Sequence, residues 1–215
     1  MRLREHNSEL KLAKCVFGAK SIRFLGHIVP ADGIKVDPSR IEKIKQFPIP
    51  KNPSQVRSFH GLVSYNRKFI KDFASIAKPL TPLMGKVNDS RWSPETQVAF
   101  ERLRYALVED PILVHFDPES AELELRTDTS SLAIGALLFQ KHQDAKKTGV
   151  LFYFSETLSA AQRNYSATER EALAAFTAIT ELQHYLYGKR FILVTDHAAL
   201  SLPKNHKDVQ GGFYI

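Results

Sequence analysis

The sequence predicts a mixed α/β protein: a β-hairpin and small helical unit, then a mixed sheet carrying a crossover helix. Three observations lead there. Before residue 110, three helix starts are each marked by a polar residue followed by proline. After residue 110, Leu123, Leu125 and Thr127 alternate with Glu124, Arg126 and Asp128, the period of a strand. Last, a long helical stretch leads into the near-continuous apolar run Phe191-Ile192-Leu193-Val194-Thr195, as a buried central strand requires. Hydrophobic residues make up 43% of the 215, enough for a packed core and too many for a disordered chain.

The elements follow in order. Residues 21–29 and 34–36 are β-rich runs on either side of Asp32-Gly33, which predicts a hairpin turning there. Asp37-Pro38, Asn52-Pro53 and Ser93-Pro94 open helices over 38–46, 53–69 and 94–108, because the polar side chain accepts first-turn N–H groups and proline has none to leave unpaired. Gln55 stands at capping-box spacing from Asn52. A further helical piece over 74–85 is interrupted by Pro79 and Pro82, and 85–93 reads as a polar linker. The strand around 123–128 is followed by strand candidates over 133–140 and 150–155, whose short links favour an antiparallel meander. A helix over 167–187 is expected to bury Leu173, Phe176, Ile179, Leu182 and Leu186 along one face. A helix between strands implies a right-handed crossover, which places the last strand parallel to an earlier one.

Charge divides the chain. Residues 1–86 carry 17 basic and 6 acidic side chains, while 87–215 carry 13 and 17. A basic part joined to an acidic part suggests that the first contacts a polyanion and the second holds a cation, solvated surface charge being the alternative. The single cysteine, Cys15, excludes an internal disulfide and points to a reducing, intracellular setting. No signal-peptide core or membrane-length apolar run is present in the sequence.

Asp128 stands near the end of the first strand of the meander and Asp196 ends the last strand. If those strands are parallel neighbours, both carboxylates emerge at one C-terminal edge, where open α/β sheets place their sites. Two carboxylates there favour a bound cation, and oxygen ligands suit Mg²⁺. Each aspartate alone also reads as an ordinary turn residue. On the crossover helix, Ser166 and Glu169 have capping-box spacing, which leaves Glu171 beside the small and apolar Ala172, Leu173, Ala174 and Ala175. A first-turn glutamate favoured by the helix dipole is the other reading of Glu171.

These residues carry a resemblance. Thr127-Asp128-Thr129-Ser130 with Ile134-Gly135-Ala136-Leu137-Leu138, Tyr165-Ser166-Ala167-Thr168-Glu169-Arg170-Glu171-Ala172-Leu173-Ala174, and Val194-Thr195-Asp196-His197 resemble the core motifs of the ribonuclease H domain in gypsy-type retrotransposon Pol polyproteins. Phe24-Leu25-Gly26-His27, Gly33-Ile34-Lys35-Val36-Asp37-Pro38, Ser58-Phe59-His60-Gly61-Leu62 and Tyr65-Asn66-Arg67-Lys68-Phe69-Ile70 resemble the end of the reverse transcriptase palm and its thumb, and Ala77-Lys78-Pro79-Leu80-Thr81 and Trp92-Ser93 the connection. The resemblance divides the chain into palm end and thumb (1–86), a connection with one helix (87–120) and a ribonuclease H-like domain (121–215).

The resemblance implies Mg²⁺- or Mn²⁺-dependent hydrolysis of the RNA strand of an RNA–DNA hybrid, with Asp128, Glu171 and Asp196 as catalytic metal ligands. It implies that the partners are a hybrid or other nucleic acid duplex and the remainder of Pol, in the cytoplasm, the nucleus or a virus-like particle. Arg57, Tyr65, Arg67, Lys68 and Lys71 are the expected nucleic-acid contacts, while Phe59, Leu62 and Phe69 are expected mainly to pack the core. The chain departs from the family pattern at Asn66, where a tyrosine is usual, and at His60, where a leucine is. The polymerase aspartates are expected upstream and a fourth acidic ligand past residue 215. The domain therefore reads as incomplete, and Asp208 is too close to Asp196 to be that ligand. A catalytically inactive nucleic-acid-binding remnant is the alternative function.

Overall fold

The computed structural model describes residues 5, 6, 9, 11–85, 91–109, 111–119 and 122–195. Asp196, His197 and Asp208 lie outside the described residues.

The chain opens with a three-stranded antiparallel sheet, β1 (Ser21–Phe24), β2 (His27–Pro30) and β3 (Lys35–Val36). The run over 21–29 is therefore not one strand. It folds back at Leu25-Gly26, whose φ values of 47° and 75° are the pair a tight two-residue hairpin demands. Asp32-Gly33 makes the next turn, between β2 and β3. Helices α1 (Pro38–Lys45), α2 (Pro53–Ser64), α3 (Phe73–Ala77) and α4 (Pro94–Tyr105) follow. Asp37 caps α1 by accepting from Ser39 N at 2.9 Å, Asn52 caps α2 by accepting from Gln55 N at 2.9 Å, and Ser93 caps α4 by accepting from Thr96 N at 3.3 Å. Gln55 completes no reciprocal box, since its Oε1 accepts from Lys51 N instead. Helix α2 stops at Ser64, short of residue 69. The chain leaves the α-helix at Asn66 and re-enters a 3₁₀ turn over Arg67–Phe69, which carries Phe69 and Ile70 into the core.

The second unit is a four-stranded mixed sheet in the order β6-β5-β4-β7, built from β4 (Glu122–Thr129), β5 (Ala133–Lys141), β6 (Gly149–Thr157) and β7 (Phe191–Val194). The antiparallel meander and the parallel β4–β7 pair match the expectation, with Leu123 opposite Phe191 and Arg126 opposite Val194. Helix α5 (Ala167–Glu181) is the crossover, and a short turn of helix, α6 (Gln183–Leu186), follows it. The predicted single helix over 167–187 breaks at Leu182, next to Thr180, whose hydroxyl donates back to the Phe176 carbonyl. Of the five residues predicted to face inward, Leu182 and Leu186 are buried and Leu173 and Ile179 pack partly buried against the core, so the departure is Phe176. Glu171, Ala174, Ala175, Ala178 and Leu182 face inward, whereas Phe176 is 68% exposed. Alanines at helical spacing let α5 lie close on the sheet, a preference for small side chains that a search for large apolar ones misses.

Two cores result. Phe59 and Phe100, with ring centroids 4.6 Å apart, anchor the first with Ile44, Val63, Leu80, Leu103, Leu107 and Leu113. Helix α4 with Leu107 and Leu113 thus packs with the helical unit rather than spanning a gap. The second core sandwiches Leu123, Leu125, Ile134 and Leu138 against Ala174, Ala178 and Leu182. The units meet where Ala74 N donates to Ser155 Oγ at 3.0 Å and Tyr153 packs against the first core.

Candidate active site

Strand β4 ends at Asp128-Thr129, and alternation sends these two side chains to opposite faces of the sheet. Thr129 turns toward α5, where its hydroxyl donates to Glu171 Oε1 at 2.6 Å. Glu171 is only 6% exposed. Its other oxygen, Oε2, is buried and has no hydrogen-bond partner among the described residues. The helix start is fixed independently of it. Ser166 Oγ accepts from Glu169 N, and Glu169 Oε2 accepts from Ser166 N at 2.8 Å, the reciprocal box expected from the sequence. The Ser166 amide first, and then its hydroxyl, both donating to Glu169 Oε2, hold that carboxyl below the usual range. One carboxylate of this turn is thus occupied by the helix cap, and the other sits under the helix with an oxygen to spare.

Asp128 is exposed on the other face and lies opposite Gly135 of β5. It lines a cleft of about 160 Å³ between the two units, with Lys71, Asp72, Arg126 and Tyr153 on its walls. A Cβ at Gly135 would stand 3.3 Å from Asp72 Oδ1, so glycine here lets Asp72, itself in the left-handed region at φ 56°, approach the strand. Two residues before Asp128 on the same face, Arg126 bonds the buried Glu124 at 2.5 Å, while Lys141 reaches it at 2.7 Å. Lys141 first and Arg126 second hold the Glu124 carboxyl below its ordinary range.

Asp128 and Glu171 therefore lie at one strand end but toward its two opposite faces. Among the described residues no group of three or more His, Cys, Asp or Glu side chains is placed to hold a metal, a set that does not include Asp196. The parallel pairing of β4 with β7, on which the expectation for Asp196 depended, is present.

The five basic and aromatic residues expected to touch nucleic acid have separate surroundings. Arg57 donates to the Met84 carbonyl at 2.6 Å and braces the turn over Pro82–Met84. Tyr65 donates its hydroxyl to the Leu25 carbonyl, with the Arg40 guanidinium stacked 4.2 Å from its ring centroid. Lys68 lies over the Phe69 ring, and burial lowers the pKa of its amine. Arg67 is exposed, and Lys71 reaches the Asp128 cleft. Local sequence spacing misses Arg40, whose ring partner Tyr65 lies far along the chain, and Thr129, whose partner Glu171 lies 42 residues away.

A four-stranded mixed sheet with a crossover helix and a buried helix carboxylate at the strand end defines a ribonuclease H-like domain. Residues 92–193 match the family described as the RNase H-like domain found in reverse transcriptase. The chain is 40% identical, over 96% of its length, to the retrovirus-related Pol polyprotein from transposon 297 of Drosophila melanogaster, and 36% identical over 93% to the transposon Tf2-3 polyprotein of Schizosaccharomyces pombe. It spans 19% and 15% of those polyproteins. The fold matches foamy viral protease-reverse transcriptase solved with RNA/DNA hybrid, at a TM-score of 0.71 and 20% identity, covering 86% of this chain and 25% of that one. It also matches the foamy viral enzyme solved with double-stranded DNA, at 0.70 and 20%, over 81% and 30%. The chain is thus similar, along nearly its whole length, to a stretch of retrotransposon Pol polyproteins that contains the RNase H-like domain.

Proposed function

We propose that the sheet unit hydrolyses the RNA strand of an RNA–DNA hybrid with a divalent cation, Mg²⁺ or Mn²⁺, and that the basic unit holds the duplex. The observation that carries this is the buried, unpartnered Glu171 Oε2. A carboxylate oxygen shut away from water without a donor is costly, and a cation is the partner that offsets it. The donors fit a hard cation, since Asp128 and Glu171 offer oxygen alone, and Asp196 would be a third such ligand. Such ions, when bound, activate water and stabilise the leaving oxygen of a phosphodiester. Within the chain, α5 and Thr129 fix the Glu171 carboxylate, and β4 presents Asp128 to the solvent side.

The foamy viral neighbours, solved with hybrid and with DNA duplex, support a duplex as the partner. Arg67 and Lys71 are the exposed cations left for phosphates. Arg57 and Tyr65 work chiefly as braces. On this reading residues 1–86 are palm end and thumb, 87–120 the connection and 121–215 the nuclease, in an intracellular setting alongside the remainder of Pol. Among the described residues no helix is long and apolar enough to cross a membrane.

The test places this sequence within the longer Pol context its relatives have and supplies end-labelled hybrid. RNA-strand cleavage that requires Mg²⁺ and stops with chelator is expected. Equal cleavage of single-stranded RNA, or cleavage indifferent to chelator, refutes the proposal. Binding should also weaken with salt, each neutralised phosphate adding roughly 0.9 to the log–log slope, and Arg67→Ala with Lys71→Ala should flatten it.

A further inference from the structure

We propose that Thr129 is a positioning residue for the candidate metal site. Its hydroxyl engages Glu171 Oε1, so that Oε2 is the oxygen presented to the cation; this rests on the metal-nuclease reading above. The geometry is specific. Thr129 Oγ1 and Glu171 Oε1 are 2.6 Å apart, a short charge-assisted bond, and the same carboxylate leaves its second oxygen buried and unpartnered. A lone buried carboxylate can rotate about its last torsion and offer either oxygen. With one oxygen tied, rotation stops and the orphan keeps a single direction.

The tie also couples two elements. Thr129 is the last residue of β4 and pairs with Ile134, while Glu171 lies in the second turn of α5. The hydroxyl is therefore the polar link between the strand end that carries Asp128 and the helix that carries the second carboxylate. Asp128 and Thr129 divide the work by alternation, Asp128 facing the inter-unit cleft and Thr129 facing the helix. Ser130, the next residue, is engaged elsewhere. Its hydroxyl donates to the Ala133 carbonyl at 3.0 Å and accepts from the Ala133 and Leu132 amides. It is not available to replace Thr129.

The experiment uses the full 215-residue chain and Mn²⁺ alone as the probe, with binding read by titration calorimetry and by water-proton relaxation. Thr129→Val keeps the β-branched shape and removes the hydroxyl, while Thr129→Ser keeps the hydroxyl. Groups that orient metal ligands typically contribute 10–100-fold to affinity. Thr129→Val and Thr129→Ala should therefore weaken Mn²⁺ binding about tenfold or more, and Thr129→Ser should stay within about twofold of the parent. A purely structural role would lower the melting temperature in chelator for Thr129→Val without moving the Mn²⁺ affinity, and that result overturns the proposal. Glu171→Gln separates the two readings. If it abolishes binding while Thr129→Val binds like the parent, the positioning role alone falls. If Glu171→Gln binds Mn²⁺ as the parent does, the metal reading falls and the positioning role falls with it.

Discussion

Replacing Asn66 by leucine should stabilise the protein. Asn66 is 0% exposed, and both its side-chain Nδ2 and Oδ1 are buried without a hydrogen-bond partner among the described residues. Leucine has a similar volume and no polar atom to desolvate. A buried polar group left unpaired costs about 1–3 kcal/mol, so removing this amide should return about 2 kcal/mol. At 2–4 °C per kcal/mol for a chain of this size, that is a rise of roughly 4–8 °C in melting temperature. Asn66→Asp supplies the opposite sign, since it buries a carboxylate where the amide has no partner, and should lower stability at neutral pH. The assay is thermal or urea unfolding of the purified chain, followed by circular dichroism. A fall in stability for Asn66→Leu would mean that the amide makes a bond worth more than its burial costs, and the reasoning would be refuted.

His27 and His60 give a second test. Burial holds both below the ordinary histidine range, with the charges of Lys68 and Arg40 adding to the effect at His27. The unfolded chain therefore binds protons that the folded one refuses, and stability should fall as pH drops below about 6.5, the ordinary histidine value. His60→Leu should flatten that fall, and an unchanged profile would count against it. Gly33 offers a third. A Cβ there would overlap the Leu113 carbonyl oxygen, the same oxygen that accepts from Ile34 N at 2.7 Å. Gly33→Ala should cost about 1–3 kcal/mol by overpacking, whereas Gly61→Ala, which meets open space on α2, should not destabilise. Equal melting temperatures for the two alanine variants would show that the 33–113 contact is dispensable.

Much of this architecture was legible because local chemistry and tertiary packing agree. Asp37, Asn52, Ser93 and Ser166 all cap the helices they precede, and β4 keeps its alternation from Leu125 to Asp128, Glu124 being buried by its ion pairs. The departures have separate physical causes. The turn at Leu25-Gly26 was hidden because leucine rarely adopts positive φ and the flanking residues are all strand formers. On α5 only Phe176 was misplaced on the inward face, because alanines set how closely the helix approaches the sheet. Glu171 was legible by elimination, since the capping box occupies Glu169. Thr129 was not, because its partner lies 42 residues away and no local spacing announces it. The bond of Arg57 to the Met84 carbonyl was not legible, because it joins residues 27 apart only in the folded chain.

Glu171, and not Glu169, is the helix carboxylate of the proposed metal nuclease. The measurement compares Glu171→Gln with Glu169→Gln, each in this sequence set within its longer Pol context, for Mg²⁺-dependent cleavage of the RNA strand of a hybrid. Glu171→Gln should abolish cleavage with the fold intact. Glu169→Gln should cleave like the parent and melt slightly lower, because glutamine still closes the cap without the charge. Loss of cleavage in Glu169→Gln alone, with Glu171→Gln active, would contradict the account.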